Sequence, residues 1–256
     1  MTTDQPPVVP IPHDPLAEGL AALAASGPPG VLERIAARWS RVPGPPFDLY
    51  IASTHLGVVY VRTSDAVHHD DREFADLFHR RFAQPLLAGD QPAPSNRDRA
   101  DRIRFDLSRL GTFEREVLLA VLTIPRGQVR PYDWIAGNVG PQATAYRVDV
   151  VLRDNPIPVL IPCHRVINAD GTLGEHVLGQ HVKQALLAAE GTNVGEVYAL
   201  AQLDIRYVAS DATGMVCFPT CWRARTARTG FPTVTRARAA GYRPCPECRP
   251  APDEAD

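Results

Sequence analysis

The chain has 256 residues, 45% of them apolar and 22% charged, enough to bury a real core and to divide into two or three modules. No apolar run approaches the roughly 20 residues of a membrane span, and the N-terminus opens on Asp and Pro instead of a basic stretch followed by an apolar one, so neither a span nor a secretory signal is expected. A formal net charge of −2 excludes nucleic-acid binding through overall charge alone, and the expected setting is the cytoplasm.

Residues 1–46 form a Pro-rich leader. The 25 prolines, nearly twice the roughly 5% of ordinary chains, cluster there, around Pro92-Ala93-Pro94 and at the end. Two short helical patterns, Leu16 to Ala25 and Val31 to Trp39, flank Ser26-Gly27-Pro28-Pro29-Gly30. From Phe47 the runs Leu49-Tyr50-Ile51-Ala52 and Val58-Val59-Tyr60-Val61, broken at His55-Leu56-Gly57, read as a hairpin. Phe74, Leu77, Phe78 and Phe82 then repeat at helical spacing. His68 and His69 beside Asp70 and Asp71 read as a solvated loop in preference to a metal cluster, because nothing else in the sequence converges on them. Residues 84–104 are a polar, Pro-bearing linker.

A second module starts near Gly111. Thr112 is placed to cap a helix whose stripe is Phe113, Val117 and Val121, widened by Leu118 and Leu122. Ile124-Pro125-Arg126-Gly127 ends it. Pro131 suits the first turn of a helix over Tyr132-Asp133-Trp134-Ile135-Ala136, then a tight Gly137-Asn138-Val139-Gly140, then a helix from about Pro141 to Arg153. The pattern fits a helix-turn-helix or a plain helical hairpin equally well.

An apolar run, Ile157-Pro158-Val159-Leu160, leads to Ile161-Pro162-Cys163-His164-Arg165-Val166-Ile167, which sets a thiol beside an imidazole where a buried segment stops. A lone Cys in such surroundings is usually a small core residue. As a nucleophile it needs a neighbour that lowers its pKa, and His164 adjoins it. A helix from Gln180 to Glu190, stopped by Gly191, follows the loop Ala169-Asp170-Gly171-Thr172-Leu173-Gly174.

The string Pro-Cys-His-Arg-Val after Asn155-Pro156, preceded by Phe-x-x-x-Val, Ile-Pro-x-Gly, Tyr and Ile-Ala, resembles the active-site region of the DNA alkyltransferases that remove alkyl groups from guanine O6. The resemblance implies Cys163 as the alkyl acceptor, His164 as its general base, and Glu190 as the carboxylate that orients the imidazole. It further implies that Asn155 shapes the site, that Tyr132 donates a hydrogen bond near an extruded base, and that the pairing of helices is a DNA-reading helix-turn-helix. Transfer would be irreversible, one lesion per molecule. The chain departs from the family where an Arg enters the base stack: Tyr146 and then Arg147 stand there, with Asp149 and Val150 where small residues are expected. His176-Val177 replace the family's Tyr-Ser beside the base. Arg165 is a further candidate DNA contact.

The other four cysteines are paired, Cys217-x3-Cys221 and Cys245-x2-Cys248, with 23 residues between the pairs, which in a cytosolic chain points to one tetrahedral Zn(II) before disulfides. Eight Arg between Arg206 and Arg249 face only Asp211 and Glu247, a local excess of six positive charges that suits a polyanion. Tyr207-Val208-Ala209, Gly214-Met215-Val216-Cys217 and Ala239-Ala240-Gly241-Tyr242-Arg243-Pro244-Cys245 closely resemble the metal-binding domain of the Ada protein. That resemblance implies that Cys217, while on zinc, is a second methyl acceptor, taking its methyl from a methylphosphotriester. A zinc ribbon that only holds the fold is the alternative. Arg223, Arg225 and Arg243 are candidate DNA contacts, and with eight residues after Cys248 no promoter-activating segment is expected.

The expected organisation is the leader over 1–46, an α/β N-terminal domain and linker over 47–104, a mainly helical alkyltransferase domain with helix-turn-helix over 105–195, and a small four-cysteine zinc domain over 200–250. The expected protein is a monomer that repairs double-stranded DNA carrying alkylated guanine or a methylphosphotriester, and is nucleoid-associated when bound. The alternative is a lesion-binding or methylation-sensing protein in which Tyr146, Asp149, His176 and Val177 abolish guanine transfer.

Overall fold

The computed structural model describes residues 34–89 and 103–250, together with Gly19. The helical pattern expected over Leu16 to Ala25 lies outside the described residues. The chain divides into two compact units, residues 1–107 and 108–256. Among the described residues no helix is long and apolar enough to cross a membrane.

In the first unit, strands β1 (Ala37–Val42), β2 (Leu49–Thr54), β3 (Gly57–Thr63) and β4 (Leu86–Ala88) form one sheet in the order β3-β2-β1-β4, with helix α1 (Asp71–Phe82) between β3 and β4. The β2–β3 hairpin is where the sequence placed it. The helix expected over Val31 to Trp39 is corrected at its second half, where Ala37 to Trp39 belong to β1. Ala37 and Trp39 are buried while Arg38 and Ser40 are less so, the alternation of a strand, and β1 is paired on both sides. Trp39 stacks on Tyr50 at 5.6 Å and leans on Phe74 at 5.8 Å, so long-range packing overrides the local pattern. The start of the expected linker is likewise edge strand β4. Asp70 caps α1 by accepting from Arg72 N at 2.8 Å, and Phe74 and Phe78 bury its apolar face. His68 and His69 each face one carboxylate, Glu73 at 2.8 Å and Asp65 at 3.6 Å.

The second unit opens with α2 (Thr112–Leu122). Gly111, not Thr112, is its N-cap: the Glu114 carboxylate reaches back to accept from Gly111 N at 2.6 Å, which leaves Thr112 in the first turn. Strand β5 (Arg130–Pro131) precedes α3 (Tyr132–Val139), which runs through Gly137 and Asn138 instead of stopping there. The turn falls at Gly140, with φ 136°, and α4 (Ala145–Arg153) starts four residues later than expected because Thr144 Oγ1 caps it, accepting from Arg147 N at 3.2 Å. Strand β6 (Val166–Ile167) pairs in parallel with β5. Helices α5 (Gln180–Ala189) and α6 (Val194–Gln202) cover that pair, with Val129, Ile167 and Leu187 in the shared core beside Val194 and Val197. A second sheet, β10-β8-β7-β9, joins β7 (Tyr207–Ser210), β8 (Met215–Cys217), β9 (Thr229–Phe231) and β10 (Arg243–Pro244), with α7 (Val234–Ala239) before β10.

Candidate functional site

The loop that presents Cys163 is closed by one side chain. The Asn155 carboxamide accepts from Ile157 N at 2.9 Å and donates to the Ile161 carbonyl at 3.2 Å. Within that loop Val159 has φ 72°, a left-handed conformation that a β-branched residue holds only when its surroundings impose it. Cys163 opens a 3₁₀ turn over Cys163–Arg165 that runs directly into β6, so the thiol is anchored to a paired strand on one side and to the Asn155 loop on the other.

Cys163 is only 2% exposed, and its sulfur receives two donors, Asn155 Nδ2 at 3.2 Å and His176 Nε2 at 3.4 Å. The His176 tautomer follows from its other nitrogen. Nδ1 accepts the Leu178 N–H at 3.3 Å, so the ring proton sits on Nε2 and points at the sulfur. Burial pushes the imidazole down to about 3, helped by the charge of Lys183, so His176 is a neutral donor at physiological pH. Lys183 is fully buried, donates to the Val166 carbonyl at 2.6 Å and to that of Leu173, and is lowered to about 8 by burial against the opposing pull of Cys163. An amide and an imidazole N–H thus meet the sulfur, with the Lys183 charge acting on it electrostatically.

His164 and Glu190 come together as the resemblance implies. His164 Nε2 lies 3.0 Å from Glu190 Oε1, while Nδ1 is buried and has no hydrogen-bond partner among the described residues. Burial drives His164 below its ordinary value, and Glu190 opposes this. Burial also acts to raise Glu190, but the hydrogen bonds from His164 and Arg165 outweigh it and hold the carboxyl at about 2. A carboxylate there fixes the proton of His164 on Nε2 and leaves Nδ1 as a free base.

Arg165, expected as a DNA contact, has its donors on partners within the site. Its guanidinium forks onto Glu190 at 2.6 and 2.9 Å and reaches the Ile124 carbonyl at 2.6 Å, so its donors are used inside the site. Asp149 likewise turns inward: it accepts from Arg153 Nε at 2.8 Å and bonds the Tyr132 hydroxyl, which burial and that carboxylate keep protonated well above the usual range. Tyr146 is 76% exposed on α4 with Val150 also exposed one turn on, whereas the exposed Arg147 packs 4.0 Å over the Phe113 ring and donates to Gln142 O, so the tyrosine is the exposed aromatic of this helix. Tyr132, Tyr146, Asp149 and Gly174 line an open cavity of about 450 Å³. Gly174, at φ 68°, lets this wall close up: a Cβ there would meet the Tyr132 hydroxyl at 3.2 Å.

Two residues of the site were not assigned a role from sequence. His176 stood out only as a departure from the family. Lys183 carried a signal that went unused, a charge placed among Val182, Leu186 and Leu187 on the buried face of α5.

The four remaining cysteines are all buried and their sulfurs lie within 4.8 Å of one another. A tetrahedron of sulfurs at about 2.3 Å from a zinc ion has edges of about 3.8 Å, so the quartet suits zinc without rearrangement of the fold. Cys217 ends β8, Cys221 precedes a 3₁₀ turn over Trp222–Thr226, and Cys245 follows β10 with its N–H on the Val216 carbonyl at 3.0 Å. Among the candidate DNA contacts here, Arg223 is paired with Glu247 at 3.1 Å and lies 4.3 Å over Trp222, while Arg225 and Arg243 are exposed.

Residues 112–192 match the family described as the 6-O-methylguanine DNA methyltransferase DNA binding domain, and residues 202–251 match the metal binding domain of Ada. The methylated-DNA–protein-cysteine methyltransferase of Rattus norvegicus is 41% identical over 117 residues, 45% of this chain and 53% of the relative. Its counterpart in Homo sapiens is 34% identical over 116 residues, again 45% and 53%. That of Mycolicibacterium paratuberculosis is 43% identical over 88 residues, 34% and 53%. The chain therefore spans about half the length of these relatives. It carries, in order, a segment of the 6-O-methylguanine DNA methyltransferase type and a metal-binding segment of the Ada type, and it resembles the methylated-DNA–protein-cysteine methyltransferases.

Proposed function

We propose that the chain repairs alkylated DNA by moving an alkyl group from guanine O6 to Cys163, in a single irreversible turnover. The observation that carries this is the donor pair on the Cys163 sulfur, with an imidazole on the next residue of the chain whose tautomer is set by a carboxylate. His164 Nδ1 takes the thiol proton, with Nε2 held on Glu190. The thiolate then attacks the alkyl carbon, the S–C bond forms as the O6–C bond breaks, and the electron pair leaves on the guanine. Asn155 and His176 hold the sulfur in place. The protonated Tyr132 hydroxyl, in the wall of the 450 Å³ cavity, supplies a hydrogen bond to the departing base by turning its one proton away from Asp149.

A base inside a duplex is out of reach of a sulfur this deeply placed, so the nucleotide has to leave the stack, at a cost of a few kcal/mol. Helices α3 and α4 act as the helix-turn-helix that brings this about, with α4 on the DNA. Tyr146 is the wedge that fills the vacated position, being the exposed aromatic side chain of α4. The exposed Arg residues of the zinc segment supply phosphate contacts. Methyl acceptance by zinc-held Cys217 rests on the Ada match, and the sulfur is as covered as that of Cys163.

Intact-mass measurement after incubation with O6-methylguanine duplex tests the proposal. One added methylene on the wild-type chain, lost in Cys163→Ala, is the expected result. An unchanged mass in a protein that still shifts the same duplex on a gel would replace transfer with lesion binding. A methylphosphotriester duplex run in parallel decides whether Cys217 gains mass.

A further inference from the structure

We propose that Arg130, on the strand that supports the Cys163 loop, is the counter-charge of the zinc tetrathiolate and a positioning residue for the metal. Arg130 is 1% exposed, and its hydrogen bonds go to neutral partners, the Val129 carbonyl at 2.7 Å and Gln128 Oε1 at 2.6 Å. Its Nε has no partner, and no carboxylate pairs with it, among the described residues. A guanidinium so buried and so poorly paired is strongly unfavourable unless another anion lies close.

The quartet is that anion. A zinc ion held by four thiolates carries a net charge of about −2. The Arg130 guanidinium lies 4.9 Å over the ring of Phe218, the residue after Cys217, and 5.7 Å over Trp134. Burial lowers the affinity of Arg130 for its proton, and each of the four cysteines acts in the opposite direction. The neighbouring backbone is seated on the same centre. Trp134 Nε1 donates to the carbonyls of Cys248 and Arg249 at 3.1 and 3.0 Å. Thr220, between Cys217 and Cys221, accepts from Val129 N at 3.0 Å and donates to the Val129 carbonyl at 3.3 Å.

Residues 128–134 therefore belong to the metal centre as much as to the alkyltransferase segment, and β5 links them to β6 and Cys163. Removing zinc and reprotonating the thiols would leave Arg130 buried and unbalanced, so the loss should spread beyond residues 202–251. This inference concerns metal binding and stands whether or not Cys163 accepts an alkyl group.

The test uses the full zinc-loaded chain. Competition with a zinc chelator should show Arg130→Met giving up zinc at least tenfold more readily than wild type, with partial recovery in Arg130→Lys, which restores a cation without the planar fork. In the cobalt-substituted protein the thiolate-to-cobalt absorption band should move in Arg130→Met. Wild-type zinc affinity and an unmoved band in Arg130→Met would overturn the proposal. Should that variant not fold, hydrogen exchange on the unaltered chain decides: after zinc removal, amides of 128–134 lose protection together with those of 217–248. Loss confined to 202–251 would equally overturn it.

Discussion

At the residue scale, the proposed transfer turns on Cys163 and the two donors on its sulfur. His176 is a neutral Nε2–H donor because Leu178 N occupies its other nitrogen. His176→Phe keeps the cover over the sulfur and removes the donor, so labelling of Cys163 by iodoacetamide at neutral pH should slow about tenfold, as expected if one charge-assisted hydrogen bond to a thiolate contributes roughly 1.5 kcal/mol. An unchanged rate would leave His176 a filler of space. Glu190 supplies a second prediction. Its carboxyl is held at about 2, below its ordinary 4.5, by His164 and Arg165. A depressed carboxyl stabilises the fold fully above its unfolded pKa and loses that contribution as pH falls through its folded value. The contribution, about 1–2 kcal/mol once solvent screening of a partly exposed carboxyl is allowed for, should therefore disappear between pH 4.5 and about 2. Thermal melts of the wild type should fall across that window, and those of Glu190→Gln should be lower at pH 7 and flatter.

Among the elements, α4 carries the most direct expectation. Tyr146 and Val150 share an exposed face, and Asp149 is kept off it by Arg153 and Tyr132. Tyr146→Ala should reduce transfer from duplex DNA by tenfold or more, reflecting a wedge contribution of about 1–3 kcal/mol per stacked base. Transfer from a free alkylated guanine, which needs no extrusion, should fall far less. Equal losses on both substrates would remove Tyr146 from the role of wedge. The elements also show where local pattern suffices. Helix α5 was legible because its apolar spacing, its start at Gln180 and its stop at Gly191 all agree. The strand at Ala37 to Trp39 was not, because a short apolar run has no period of its own until β2 and β4 pair with it. The late start of α4 turned on one cap, Thr144.

For the whole molecule, charge separation and metal are the governing features. The net charge of −2 conceals a basic C-terminal piece in which Arg225, Arg228, Arg236, Arg238 and Arg243 are exposed. If Arg225 and Arg243 each neutralise a phosphate, replacing both with Ala should reduce the slope of log affinity against log salt by about 2. A slope that stays constant would take both residues off the backbone contact.

Residues close together in the chain were enough to mark the metal quartet, because two short Cys spacings fit one tetrahedral site, whereas the Pro-Cys-His-Arg string pointed to an acceptor only through family resemblance. The Glu190 partner was legible only through family resemblance, being 26 residues from His164. The rest was decided by tertiary contact. His176 reaches the sulfur from 13 residues away, Arg165 turns onto Glu190 from 25, and Trp134 reaches the Cys248 carbonyl from 114. Such meetings depend on which loops and strands the core brings together, and hydrophobic periodicity carries no record of where a polar side chain will find its partner.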